Sequence, residues 1–110
     1  MDQPVAITID MLRAAIRPNQ RVVEDGGIKI VVLQRGWVVV GRFSQRGTRC
    51  KITNGAVIRR WGTTRGLGEI AVGGPTNNTA LEPTPTIEYH ELTEVLSLVC
   101  EESQWLHHLR

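Results

Sequence analysis

The chain has 110 residues, 41% of them apolar and 22% charged, with 13 Lys and Arg against 11 Asp and Glu. That composition fits one ordinary globular domain, and no run approaches the roughly 18 consecutive apolar residues of a membrane-spanning helix. The net charge of +2 conceals an asymmetry: residues 1–65 hold 12 basic and 4 acidic residues, residues 66–110 hold 1 and 7.

Eleven of the 13 basic residues are arginine, whose planar fork grips phosphate or carboxylate through two hydrogen bonds. A basic half and an acidic half predict either pairing within the fold or between subunits, or a basic binding face. Both hold if the acids neutralise only some of the arginines. Cys50 and Cys100 stand alone, with no CxxC and no Cys/His cluster. They are expected as buried free thiols of a cytoplasmic protein, with no metal site and no cofactor.

The opening MDQPVAITID carries an acid early and lacks a basic stretch followed by an apolar one, so neither a signal nor a transit peptide is expected. Thr8 to Ile16 reads as a short helix with Ile9, Leu12 and Ile16 on one face, ended by Pro18 and Asn19. It forms an arm over residues 1–20 of a single domain spanning 1–110, the β core being 21–110. Asp25-Gly26-Gly27 is a turn signal, and IKIVVL (28–33) is a β-branched strand. WVVVGRF (37–43) is apolar almost throughout, as for a strand covered on both faces or lying at a subunit contact. TRCKIT (48–53) alternates, Asn54-Gly55 signals a hairpin, and AVIRRW (56–61) is the next strand.

A glycine-rich loop follows. EIAV then makes about one helical turn before Gly73-Gly74-Pro75. Residues 75–86 read as a polar connection about a dozen residues long. IEYHEL and EVLSLVC read as two more strands, the second apolar enough to be central. EESQWLHHLR is a short terminal helix with Trp105 and Leu109 on one side. The class is mainly β (α+β): an antiparallel sheet or small barrel of about six strands with short helices at the ends and one after the glycine loop. Covering so apolar a sheet predicts a homo-oligomer.

The chemistry concentrates in RRWGTTRGLGE (59–69). Gly66 to Ala71 matches G-x-G-x-x-A, but hairpin-linked strands leave no room for a doubled βαβ fold, so a dinucleotide site is set aside. The physics of the motif survives: glycines ahead of a helix leave backbone N–H groups for an anion. The ligand-binding set is therefore Arg59, Arg60 and Arg65 as phosphate partners, Thr63 and Thr64 as hydroxyl donors, Trp61 as a stacking face, and Gly66 and Gly68 as backbone donors. Trp37 and Thr76 are outlying members. Against this stands the reading of Trp61 as core and the arginines as a charged rim. His90, His107 and His108 are taken as solvated. No nucleophile–base pair is apparent, so no enzymatic turnover is expected. A modest net charge and an acidic second half argue against an extended nucleic-acid groove.

RGWVVVGRF, VIRRWGTTRGLGEIAVGGPT and TEVLSLVCEESQW resemble a family of small bacteriophage and prophage proteins with no assigned chemistry, over roughly residues 28–105. By analogy with small oligomeric phage proteins of similar size, the resemblance implies a cytoplasmic protein of the infected bacterium. It would sequester a nucleotide immune signal, of the cyclic oligonucleotide or cyclic ADP-ribose type, to block host defence. The competing expectation is a structural or interaction module that assembles with itself or binds a host protein, without a small-molecule ligand.

Overall fold

The computed structural model describes residues 21–109; the expected helix over Thr8–Ile16 and its arm lie outside them. The chain order is β1 (Val22–Val23), β2 (Ile28–Leu33), β3 (Trp37–Arg46), β4 (Arg49–Arg60), α1 (Leu67–Gly73), β5 (Ala80–Pro83), β6 (Ile87–His90), β7 (Glu94–Val99) and α2 (Glu102–Trp105). Single 3-10 turns lie at Gln34–Gly36 and Glu91–Thr93. All strand pairs are antiparallel, in the order β5-β4-β3-β2-β7. β1 also pairs with β3, and β6 with β4. The fold is mainly β, as its alternating pattern predicts. It is an open sheet and not a barrel: only the three-residue turn Glu91–Thr93 separates β6 from β7, yet the two share no ladder.

Asn54-Gly55 does not make a hairpin. It lies inside the 12-residue β4 as a bulge, because Val40 pairs with Ala56 and Arg42 with Thr53, leaving two residues opposite Gly41. The local signal was a positive φ, and Asn54 adopts one (50°). A bulge uses that conformation as readily as a tight turn, and the long partner strand β3 decides between them. The extra residue switches which side chains face which way: Ala56 and Ile58 enter one core, Cys50 and Ile52 the other. Only glycine fits at the crossing, since a Cβ on Gly41 would lie 2.5 Å from Ile52 Cγ2 and 2.8 Å from Gly55 Cα.

The sheet therefore has two apolar clusters. The first joins Ile28, Ile30, Val38, Val40, Ala56 and Ile58 to Ile70 and Ala71 of α1 and to Trp105 of α2. Trp105 is fully buried and its Nε1–H donates to the Ile70 carbonyl at 2.9 Å, which gives the indole its required polar partner. The second cluster holds Val31, Val39, Phe43, Cys50, Ile52 and Tyr89. β3 feeds both, as a doubly covered strand should.

Four expectations are corrected. α1 has seven residues, about two turns instead of one, because Leu67 and Gly68 extend it ahead of Glu69. α2 is a single turn, closed at Trp105. The connection 75–86 contains β5, whose proline lies at the sheet margin, where a missing N–H is tolerated. β7 is an edge strand and not a central one. Both cysteines are free and buried. Burial pushes the Cys100 thiol up to about 12 and also raises that of Cys50, with the nearby Glu94 charge acting in the same direction.

The charge asymmetry is spent largely within the fold. Arg21–Glu91 (3.5 Å), Arg42–Glu102 (2.7 Å), Arg49–Glu88 (3.7 Å) and Arg59–Glu82 (2.5 Å) each join the basic half to the acidic half.

Candidate functional site

The glycine–arginine loop is welded to the turn that precedes β5. Thr79 Oγ1 donates to the Trp61 carbonyl at 2.6 Å, and Thr76 Oγ1 donates to the Gly62 carbonyl at 3.0 Å. Gly62 has φ 71°, and a Cβ there would lie 2.3 Å from the Asn78 carbonyl carbon, so only glycine permits this approach. Thr76 is thus brought to the loop, as a staple for its backbone.

Of the two N–H groups proposed for an anion, on Gly66 and Gly68, the first already has a partner, and so has the neighbouring Arg65 N–H. Gly66 N–H donates to Thr63 Oγ1 at 2.9 Å, and Arg65 N–H donates to the Glu69 carboxylate at 3.2 Å. Glu69 places a negative charge in the first turn of α1, where a bound anion would have to compete with it. Arg59 is committed to Glu82, and Arg60 Nε donates to the Asn78 carbonyl at 2.8 Å. None of the five cavities described for the protein is lined by residues 59–80. One feature of the expected site persists: Trp61 is not core, with 42% of its surface exposed.

Trp37 belongs to different surroundings. At 52% exposure it borders an apolar cavity of about 370 Å³ together with Leu33, Val39, Val57, Ile87 and Tyr89, at the margin of the second cluster. The Tyr89 hydroxyl donates to Glu94 Oε1 at 3.0 Å. Burial, then the Glu94 charge, hold the phenol above its ordinary range, so it remains a neutral donor. Among the described residues no group of three or more His, Cys, Asp or Glu stands together as a metal-binding cluster, and no helix is long and apolar enough to cross a membrane.

The surface that sequence reasoning missed is β7. Its inner side pairs with β2, from Lys29↔Val99 to Leu33↔Glu94, with a bulge near Val95. Its outer side pairs with no strand among the described residues. Val95 is 61% and Val99 75% exposed, Leu96 is also exposed, and Leu92 projects just before the strand. Between Glu94 and Cys100 there is no charge, no proline and no glycine, so of the usual devices that protect a sheet edge only the bulge near Val95 is present. Comparison of the chain with protein-family models, curated proteins and solved structures gives no match.

Proposed function

We propose that this protein is a non-catalytic interaction module that acts by presenting the β7 edge to another polypeptide chain. The carrying observation is an outer ladder without a strand partner among the described residues, flanked by exposed Val95, Leu96 and Val99. Main-chain groups of such an edge supply affinity and the alternating side chains supply selectivity, the logic of strand addition. Amide exchange tests it on natively purified protein. Cys100 N–H donates inward to Ile28 O, so alternation aims the N–H groups of Ser97 and Val99 outward. Slow exchange at Ser97 and Val99 supports a covered edge. Exchange there at the rate of an open loop, in concentrated native material, refutes it.

A second reading keeps the nucleotide ligand. It is favoured by the exposed Trp61 ring and by Arg60 and Arg65, near it in sequence, neither of which has an ion-pair partner among the described residues. Base stacking on such a ring is worth about 1–3 kcal/mol. Calorimetry with cyclic nucleotides and cyclic ADP-ribose isomers tests it: binding lost in both Trp61→Ala and Arg65→Ala supports this reading, and no heat with the wild-type protein dismisses it.

A further inference from the structure

β7 contains the run Val95-Leu96-Ser97-Leu98-Val99, which reads the same in both directions. An antiparallel strand pair runs its two members in opposite directions. A palindromic strand laid beside a copy of itself therefore meets identical residue types at every step. We propose that the partner of the β7 edge is a second copy of this chain, paired antiparallel about a two-fold axis through Ser97; this rests on the reading of β7 as the interaction edge.

The geometry supports that register on three counts. First, the inward direction of the Cys100 N–H fixes the alternation of the strand. Leu98 and Leu96 direct their main-chain groups to β2, and Ser97 and Val99 direct theirs outward. An axis at Ser97 then makes Ser97 and its symmetry mate a doubly hydrogen-bonded pair, and the adjoining Leu96–Leu98 pairs take the closer, non-hydrogen-bonded positions. Second, an axis at Ser97 sets Val95 of each copy against Val99 of the other. These are two of the most exposed apolar side chains of the protein, and each covers the other in an isologous contact. Third, the charges lie outside the paired run. Glu94 and Glu101 flank it, so pairing buries no carboxylate between the strands. It does bring acids of the two copies toward each other at each end, which makes association stronger as salt screens them. The bulge near Val95 limits regular pairing to the centre of the strand, with the valines closing its two ends.

Sedimentation of the full chain from micromolar to hundred-micromolar concentration is the first measurement. A dimer is expected, with its dissociation constant falling on added salt. Val99→Lys is expected to weaken it by about tenfold or more, because a charge replaces the valine at each end of the contact. Val99 is exposed and the variant should fold, which circular dichroism checks. Ser97→Cys is the register test. The two Cα atoms would lie about 5.5 Å apart, within disulfide range, and mild oxidation should give a covalent dimer. The same oxidation of Glu82→Cys, on the opposite side of the sheet, should not. A wild-type monomer throughout the range overturns the inference. So does a dimer that ignores Val99→Lys and leaves Ser97→Cys uncrosslinked. If native mass spectrometry finds a different chain on β7 while Ser97 and Val99 amides are slow, the self-pairing fails and the interaction reading stands.

Discussion

The two sides of this sheet manage the same problem in opposite ways. On one side, β5 and β6 cover β4 in two four-residue pieces. Glu82 and Pro83 lie in β5, Thr84-Pro85-Thr86 separates the pieces, and Glu88 lies in β6. Thr84 N–H donates inward to Gly55 O at 3.0 Å, so the neighbouring Pro83 nitrogen faces out, where an incoming strand would need a donor. Short strands, prolines and charges are the recurrent means of keeping an edge to itself. On the other side, β7 carries Val95-Leu96-Ser97-Leu98-Val99, with no proline and with no charge between Glu94 and Cys100. Under the pairing proposed above, protection on one edge and an open strand on the other would give one directional contact, which would close a dimer instead of extending a fibre.

The broadest test of this comparison is to remove the protection. Pro83→Thr with Pro85→Thr restores an outward donor and places strand-compatible residues at the guarded edge. The expected outcome is assembly beyond the wild-type state, seen by light scattering at tens of micromolar. The folded chain should lose only about 0.8–2 kcal/mol of stability, about 0.4–1 for each proline, from the added freedom of the unfolded chain. A variant that keeps the wild-type size shows that the prolines are not what closes this edge.

The open edge needs its own anchor, because β7 pairs on one side alone. Beyond Val99 the Cys100 N–H donates to Ile28 O, the Glu101 N–H to Ala71 O, and Trp105 fills the first cluster. Trp105→Ala leaves a large cavity and removes one of two donors to the Ile70 carbonyl, which keeps the Gly74 N–H at 2.8 Å. It should cost about 3–5 kcal/mol in denaturant unfolding and open the β7 amides first. A loss under about 1 kcal/mol would show that α2 is not the anchor.

How much of this was legible in the sequence follows the same division. β2 was readable to the residue, and the two-sided burial of β3 followed from WVVVGRF, because continuous apolar runs have few other uses. Asn54-Gly55 misled, since a positive φ is a local property and its use in a turn or a bulge is set by a strand elsewhere. β5 was hidden among prolines for the very reason it is an edge. β7 was read as central because an apolar strand looks the same whether its second neighbour is its own chain or another. In the glycine–arginine loop Gly66 was legible as a donor and its acceptor was not: Thr63 claims it only once the chain has turned.

Alkaline pH probes the anchor without mutation. The Cys100 thiol, at the end of β7, is pushed up to about 12 by burial, against about 8.5 in an unfolded chain. Below pH 8.5 both states hold the proton and nothing changes. Between about 8.5 and 12 the unfolded state loses it and the folded state keeps it, so stability falls as pH rises, by at most about 1.4 kcal/mol per pH unit from this group. Cys50 contributes in the same direction. Cys100→Ala should flatten the slope of unfolding free energy above pH 8.5; an unchanged slope would assign it to other groups.

The smallest effect belongs to the guarded edge. Arg59 Nε and Glu82 Oε1 lie 2.5 Å apart, yet the two side chains remain 60% and 54% exposed. Water and salt screen such a pair, and holding two long side chains together costs rotamer entropy, so it is worth only about 0–1 kcal/mol. Arg59→Ala should therefore shift the urea midpoint slightly, and less at high salt than at low salt. It should leave the dimer intact, because the pair lies across the sheet from β7. It also separates the two functional readings. An arginine already held by Glu82 does not serve a nucleotide, so Arg59→Ala should leave any nucleotide affinity unchanged while Arg65→Ala removes it. Equal loss in the two variants would mean that Glu82 releases Arg59 to a ligand, and the glycine–arginine loop would then regain its place as the binding site.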